Sequence, residues 1–252
     1  MPSTTIEICI DAVDSALAAQ HGGAQRVELC SNLLEGGTTP SAGLIKTVRD
    51  KTSLGLQVMV RPRGGDFCYS DDEFEVMCRD VTAAKSLGAD GIVIGLLNTD
   101  GSIDIPRTSQ LVELAKPLPV TFHRAFDVAK NLPAALQELI KIGIARVLTS
   151  GGEPSATLGI PALTELVEAS AGGITILAGG GINSTNVAAI VEKTGVKEVH
   201  AGLRTVISGR MQQSDKKISP GVGGMDESQR FVVLEENVAR MAQAIAGIKH
   251  SS

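Results

Sequence analysis

The chain has 252 residues, of which 43% are hydrophobic, and its formal net charge is −5. This length fits one domain of α/β-barrel size with an ample core. Acidic and basic residues are interspersed, and the chain has one Tyr and no Trp, so it lacks the basic surface and stacking aromatic side chains typical of nucleic-acid binding. No apolar run reaches the roughly 18 residues of a membrane span, and the first residues lack a signal-peptide pattern. We therefore expect a cytoplasmic protein with neither nucleic acid nor membrane as a partner.

Eight short β-rich segments recur along the chain, each followed by a helical pattern. They begin near Ile6, Arg26, Leu56, Gly91, Val120, Arg146, Ile174 and Glu198. Eight strand–helix units in roughly 250 residues match a closed (β/α)8 barrel, because each pair of parallel strands needs a crossover helix. We predict the α/β class and a single TIM-type barrel domain over residues 1–252.

Capping signals place several of the helices. They are Ser70 with Glu73 before a helix ending at Gly88, Asn131 before a helix through Lys141, and Asn183 or Ser184 before a helix stopping at Gly195. After the eighth strand, residues 205–228 are polar and bear Gly and Pro, which predicts a long loop over the barrel mouth, either a lid or a disordered insertion. A last amphipathic helix is predicted over residues 229–248.

The third segment, Leu56–Phe67, shows what the barrel interior contains. Its apolar residues alternate with polar ones, so if the apolar set packs under the helices, Gln57, Met59, Arg61 and Arg63 point into the lumen. A buried arginine without a partner costs several kcal/mol, so carboxylates or a bound anion should accompany it.

The same alternation gives other strands a polar inner face. The inward residues are Glu7, Cys9 and Asp11 of the first strand, Glu28 and Cys30 of the second, Thr121 and His123 of the fifth, and Glu198 and His200 of the eighth or, one register over, Val199 and Ala201. Barrel active sites lie at the C-terminal ends of the strands. We therefore consider Glu7, Glu28, Arg61 and His123 candidate catalytic residues if the protein is an enzyme. The alternative is a structural ion-pair network that seals the barrel.

Glycine-rich turns follow strands six to eight. They expose backbone N–H groups at the end of the barrel where phosphate is often bound, which predicts an anion site formed by Gly151, Gly152, Gly180, Gly181 and Arg204. Glycine is also needed simply to turn from strand to helix, and this alternative stays open.

Two of the four cysteines form another candidate site. Cys9 and Cys30 lie near the ends of adjacent strands with the same parity, so their sulfurs can face each other, and Met59 of the third strand can add a thioether. Such a set of soft ligands suits Cu(I), although small cysteines that merely fill barrel space are the simpler explanation. Cys68 and Cys78 match no common zinc spacing.

Seven segments of the chain resemble the copper homeostasis protein CutC family. They are EICIDAVDSA at 7–16, GGAQRVELC at 22–30, EGGTTPS at 35–41, VMVRPRGGDFCYS at 58–70, PVTFHRAFD at 119–127, RVLTSGG at 146–152 and AGGGIN at 178–183. The resemblance implies a TIM-type barrel, cytoplasmic and in eukaryotes also nuclear, that forms homo-oligomers such as dimers or tetramers. It also implies Cu(I) as the bound ion and Cys9 and Cys30 as its ligands. A third cysteine of some members is replaced here at Ala201-Gly202, which implies weaker copper binding.

Two hypotheses of function result. The first is a Cu(I)-binding protein of copper homeostasis, with copper held by thiolates at the barrel mouth. The second is a TIM-barrel enzyme that acts on a small anionic or phosphorylated metabolite, because copper alone does not explain the polar residues around the mouth.

Overall fold

A computed structural model describes residues 4–210 and 228–248 of the chain. Eight parallel strands close into a barrel in sequence order, which confirms the predicted TIM-type fold. The strands are β1 (Thr5–Ile10), β2 (Arg26–Leu29), β3 (Gly55–Met59), β4 (Gly91–Ile94), β5 (Val120–Phe122), β6 (Arg146–Thr149), β7 (Thr175–Ala178) and β8 (Glu198–Ala201).

Helices surround the barrel because each crossover returns the chain to the start of the next parallel strand. They are α1 (Val13–His21), α2 (Ala42–Lys51), α3 (Asp71–Ser86), α4 (Ile105–Ala115), α5 (Leu132–Lys141), α6 (Ile160–Ser170), α7 (Val187–Thr194) and α8 (Glu235–Ala246). Short 3-10 turns at Leu33–Glu35 and Arg124–Val128 follow β2 and β5.

The strands divide their side chains between two environments. The apolar set of β3, Leu56 and Val58, is fully buried with the helices in the main hydrophobic core, as alternation predicts. In β8, Val199 and Ala201 join this outer core, so Glu198 and His200 face the lumen. The sequence had left these two registers open, and the pairing of β8 with β1 fixes the choice.

Two of the three predicted helix starts agree with the structure. Ser70 and Glu73 form a reciprocal capping box at α3, and the Asn131 side chain accepts from the Ala134 N–H at the start of α5. The third prediction was wrong, since α7 begins at Val187 and not after Asn183. The Asn183 side chain instead accepts from the Thr185 N–H in a turn that precedes the helix.

An antiparallel ribbon follows the barrel. Strand β9 (Arg204–Ser208) pairs with β10 (Gln229–Val233), so the predicted loop over 205–228 begins with a strand. The last helix, predicted over 229–248, begins only at Glu235, because the β-branched and aromatic residues of β10 complete the ladder with β9. The rest of the predicted loop, residues 211–227, lies outside the described residues. Within 4–210 and 228–248, no helix has both the length and the apolar character to cross a membrane.

Candidate functional site at the barrel mouth

A cavity of about 480 Å³ opens at the C-terminal ends of the barrel strands. Seven of the residues expected at the site line it: Cys9, Glu28, Arg61, His123, Gly180, Gly181 and Arg204. Glu7 and Cys30 are buried and contact residues that line the cavity. Most of the residues selected from the sequence are therefore brought together.

A buried ion-pair network fills the lumen beneath the cavity. The Arg26 guanidinium pairs with Glu7 and with Glu198, and Arg146 donates to the same Glu198 carboxylate at 3.0 Å. Arg26 and Arg146 were not predicted from the sequence to lie in the lumen, although Arg26 shares the parity of Glu28 and Cys30. This network corresponds to the structural alternative considered for Glu7, whose carboxylate it holds in place.

His200 connects this network to the cavity. Its Nδ1 lies 2.8 Å from Glu7 Oε1, and its Nε2 lies 3.8 Å from Glu28 Oε2. Burial would raise the pKa of Glu7, but hydrogen bonding to His200 and the charge of Arg26 lower it to about 2. Burial opposes a charge on His200, yet the charge of Glu28 and hydrogen bonds to Cys9 and Glu7 outweigh it and raise the His200 pKa well above its usual value. A protonated His200 that donates to the Glu7 carboxylate is the consistent arrangement.

Cys9, Cys30 and Glu28 form a compact group at the ends of β1 and β2. Their ligand atoms all lie within 4.8 Å of one another, and Cys30 Sγ lies 3.6 Å from Glu28 Oε2. The hydrogen bond from Cys30, with a further one from His200, holds the pKa of Cys9 well below its usual value. The same Cys9–Cys30 hydrogen bond, together with burial, raises the pKa of Cys30. Burial also raises the pKa of Glu28. Of the two thiols, Cys9 is therefore the one that loses its proton more easily.

On one side, the two thiols contact an apolar cluster that contains a third sulfur. Cys30 and Met59 belong to one buried cluster, against which Cys9 packs. The loop after β2 closes tightly over Cys30, since a Cβ at Gly37 would lie 3.1 Å from Cys30 Sγ. Gly37 has a φ of +93°, so glycine meets both the steric and the conformational demand at this position. Such a site favours a soft ion over a strongly hydrated one.

Arg61 lies on another part of the cavity wall and is only 4% exposed. Its two terminal nitrogens donate to the carbonyl oxygens of Glu35, Gly37 and Gly65, at 2.7 to 2.8 Å. Its guanidinium also lies 5.0 Å from the centroid of the Phe67 ring. Of the two kinds of partner predicted for Arg61, a carboxylate of the chain or a bound anion, the described residues supply no carboxylate, and backbone carbonyls of two loops accept its hydrogen bonds.

His123 follows β5 and is also 4% exposed. Its Nδ1 accepts a hydrogen bond from the Ala125 N–H at 3.1 Å, while its Nε2 is buried without a partner. Burial and the nearby charge of Arg61 lower the pKa of His123 to about 3, so the ring is neutral near pH 7. Room for the ring depends on Gly95, the residue that follows β4, because a Cβ there would lie 2.2 Å from His123 Cε1.

The glycines after β6 do not offer free amides to an anion. The Ser150 and Gly152 N–H groups donate to Asp127, at 3.0 and 3.1 Å to Oδ1, and the Gly151 N–H donates to Thr149 Oγ1. Asp127 follows β5, so a carboxylate of the chain itself occupies the place expected for a ligand. The anion site predicted from the sequence therefore does not include Gly151 and Gly152.

The glycines after β7 differ from those after β6. Gly180 and Gly181 both have positive φ, +103° and +73°, and line the cavity. Within residues 4–210 and 228–248, no hydrogen bond uses either N–H. Arg204 also lines the cavity, and its guanidinium lies 5.5 Å from the centroid of the Phe231 ring in the ribbon.

Three residues from the sequence analysis lie away from the centre of this site. Arg63, predicted to point inward, is more than a third exposed and pairs with Glu73, because β3 ends at Met59 and the alternation ends with it. Cys68 and Cys78 are partly exposed and pack against the outer hydrophobic core. Neither cysteine lines the cavity.

Fold and site together define a TIM-barrel protein with a polar mouth and two adjacent cysteine thiols at the ends of its first two strands. The profile of the CutC family matches residues 4–205. The chain therefore belongs to the CutC family.

Individual relatives agree with this assignment. A CutC family protein of Bacteroides fragilis is 48% identical over 97% of this chain and 98% of its own. The copper homeostasis protein cutC homolog of Mus musculus is 44% identical over 96% of this chain and 89% of its own. A crystal structure of the copper homeostasis protein CutC of Streptococcus agalactiae superimposes with a TM-score of 0.75, at 34% identity over 79% of this chain and 98% of that one.

Proposed function

We propose that this protein binds one Cu(I) ion per subunit through Cys9 and Cys30 and thereby takes part in copper homeostasis. Membership of a family whose relatives include copper homeostasis proteins supports the general role. The proposal includes action in the cytoplasm, and in the nucleus of eukaryotes, and assembly into a dimer or tetramer. The enzyme hypothesis stays a prediction from the sequence.

The observation that carries the proposal is the close approach of two thiols on adjacent strands, since the ligand atoms of Cys9, Cys30 and Glu28 lie within 4.8 Å of one another. Hydrogen bonding to Cys30 holds the pKa of Cys9 well below its usual value, which favours the thiolate form of Cys9. Thiolates are the ligand type that Cu(I) prefers, and Cu(I) accepts low coordination numbers. When copper binds, Cys30 can lose its proton as well, and the ion replaces that proton between the two sulfurs.

The surroundings of the pair support a soft ion. The thioether of Met59 lies in the same buried cluster, and the loop at Gly37 covers Cys30. Glu28 and His200 also lie beside the thiols and offer oxygen and nitrogen ligands, which are harder than sulfur and suit a competing ion. Zn²⁺ takes such mixed sulfur, nitrogen and oxygen ligands, so it is the ion against which Cu(I) must be compared.

The test is an anaerobic Cu(I) competition titration against a strong chelator, on the parent and on Cys9→Ser and Cys30→Ser. We expect about one tightly bound ion per subunit, and loss of at least about tenfold in affinity in each variant, which corresponds to roughly 1.4 kcal/mol. Matched controls are Cys68→Ser and Cys78→Ser, which should bind copper as the parent does.

Two results would contradict the proposal. One is copper binding that depends on Cys68 or Cys78 and not on the pair. The other is a site that releases Cu(I) readily but retains Zn²⁺ through Glu28 and His200. Circular dichroism and thermal unfolding of each variant show whether a lost site reflects a lost fold.

A further inference from the structure

Arg61 carries a buried positive charge that the chain does not neutralise. Among the described residues its guanidinium forms no ion pair, and its hydrogen bonds go only to neutral backbone carbonyls. Its Nε is buried without a partner, as is the hydroxyl of Tyr69. Carbonyl oxygens and the face of Phe67 solvate the charge in part, but burying a charge without a counter-ion is costly unless an anion can reach it.

His123 lines the same cavity and carries a hydrogen-bond donor without a partner. Because the Ala125 N–H donates into Nδ1, that nitrogen carries the lone pair, and the proton of the neutral ring lies on Nε2. This Nε2–H is buried and has no partner. The His123 side chain is only 4% exposed and lines the cavity. A buried donor without an acceptor calls for a ligand or a water molecule.

We propose that the cavity binds a small oxyanion, the carboxylate or phosphate group of a metabolite, which accepts a hydrogen bond from His123 Nε2–H and neutralises the charge of Arg61. This site is separate in residues and in chemistry from the thiol pair. It concerns binding and assigns no reaction.

The chemical groups of Arg61 and His123 favour an anion over a metal ion or a water molecule. Both groups are donors, and neither the Nε2–H of His123 nor the Arg61 guanidinium offers a lone pair to a metal ion. Water could satisfy His123, but it could not neutralise Arg61. An oxyanion does both, since each of its oxygens accepts several hydrogen bonds and its charge is opposite to that of arginine.

The cavity has room for more than the oxyanion itself. Its volume of about 480 Å³ is typical of sites for small metabolites. Among the described residues, the Gly180 and Gly181 N–H groups at the cavity wall have no protein partner, so they can donate hydrogen bonds to a further polar group of the same ligand. The anionic group is therefore best understood as the anchor of a larger ligand.

The experiment is a calorimetric titration of the full-length protein with inorganic phosphate and, separately, with acetate, in the presence of a metal chelator. We expect saturable binding of at least one anion, and tighter phosphate binding would indicate a phosphate-bearing ligand. His123→Phe keeps a ring of similar size, removes the donor and should weaken binding at least about tenfold. Arg63→Gln is the matched control, because it removes an arginine two positions from Arg61 that does not line the cavity, and it should bind as the parent does.

Further variants separate this site from the copper site. Cys9→Ser should still bind the anion, and His123→Phe should still bind Cu(I). The proposal is overturned if neither anion binds saturably, if His123→Phe binds as well as the parent, or if Arg63→Gln loses binding to the same extent. If His123→Phe does not fold, NMR spectra of the parent protein with isotope-labelled histidine are the deciding measurement. Phosphate or acetate must shift the His123 Nε2–H resonance if the site is real.

Discussion

Cys9 of β1 lies opposite Glu28 of β2 in the barrel register, and Cys30 follows two residues further toward the mouth. The two thiols are thus diagonal neighbours, and the Glu28 carboxyl lies beside both of them. Diagonal placement leaves room for an ion between the sulfurs and for a third ligand from a neighbouring strand.

The first prediction concerns Met59, the sulfur of β3 that packs in the cluster with Cys30. Met59→Leu conserves volume and removes the thioether, so it should lower Cu(I) affinity by about tenfold while leaving stability nearly unchanged. Met77→Leu is the control, since Met77 is fully buried in the outer core under the helices. Competition titration and urea unfolding measure the two quantities. Equal Cu(I) affinity in the two variants would show that the thioether takes no part.

The second prediction uses Gly202, which lines the cavity just after β8. The register pairs Ile8 with Ala201, so the next residues of the two chain segments, Cys9 and Gly202, lie beside each other. A Cβ at Gly202 would meet no atom within 4 Å, so the chain has space for a side chain there. Gly202→Cys adds a third soft ligand and should raise Cu(I) affinity by about tenfold or more. Gly202→Ser, measured by the same chelator competition, separates the sulfur from the added bulk and should bind as the parent does.

The third prediction tests the ion-pair network below the cavity. Arg26→Met leaves the buried carboxylate of Glu7 and the partly buried carboxylate of Glu198 without this partner, which should cost about 3–5 kcal/mol of unfolding free energy. Arg79→Met breaks only an exposed pair with Glu75 on α3 and should leave stability nearly unchanged. Urea denaturation of both variants gives the comparison. A small loss in Arg26→Met would mean that the network contributes little.

The fourth prediction is a pH dependence that comes from His123. Its pKa is lowered to about 3 in the folded protein, below the ordinary value of 6.5, because of burial and the charge of Arg61. Between these two values the unfolded chain binds a proton that the folded chain does not, so stability decreases as pH falls from about 6.5 toward 3. The contribution approaches about 1.4 kcal/mol per pH unit.

His123→Phe removes this contribution. Urea unfolding between about pH 6.5 and 4.5 should therefore show a shallower loss of stability in the variant than in the parent. The carboxylates of the two proteins titrate alike, so the difference in slope isolates the histidine. Equal slopes would mean that His123 takes up its proton in the folded protein at an ordinary pH.

The structure changes the interpretation of the glycine-rich turn that follows β6. The glycines at 151 and 152 resemble a phosphate loop, yet Asp127 accepts from this loop at Ser150 and Gly152. The sequence contained Asp127 as well, but 25 residues separate it from Gly152, and no local pattern connects the two. A contact of this kind depends on how the ends of β5 and β6 meet.

By itself, the sequence determined that several side chains of the first three strands enter the lumen. Alternation within each strand placed Cys9, Glu28 and Met59 inside correctly, because the period of two is a local property of the extended backbone. Only the tertiary structure decided what those side chains meet there. Arg61 reaches carbonyl oxygens where carboxylates were expected, and Arg26 takes Glu7 as its partner. Such pairings depend on strand register and barrel closure, which join residues far apart in the chain and leave no period in the sequence.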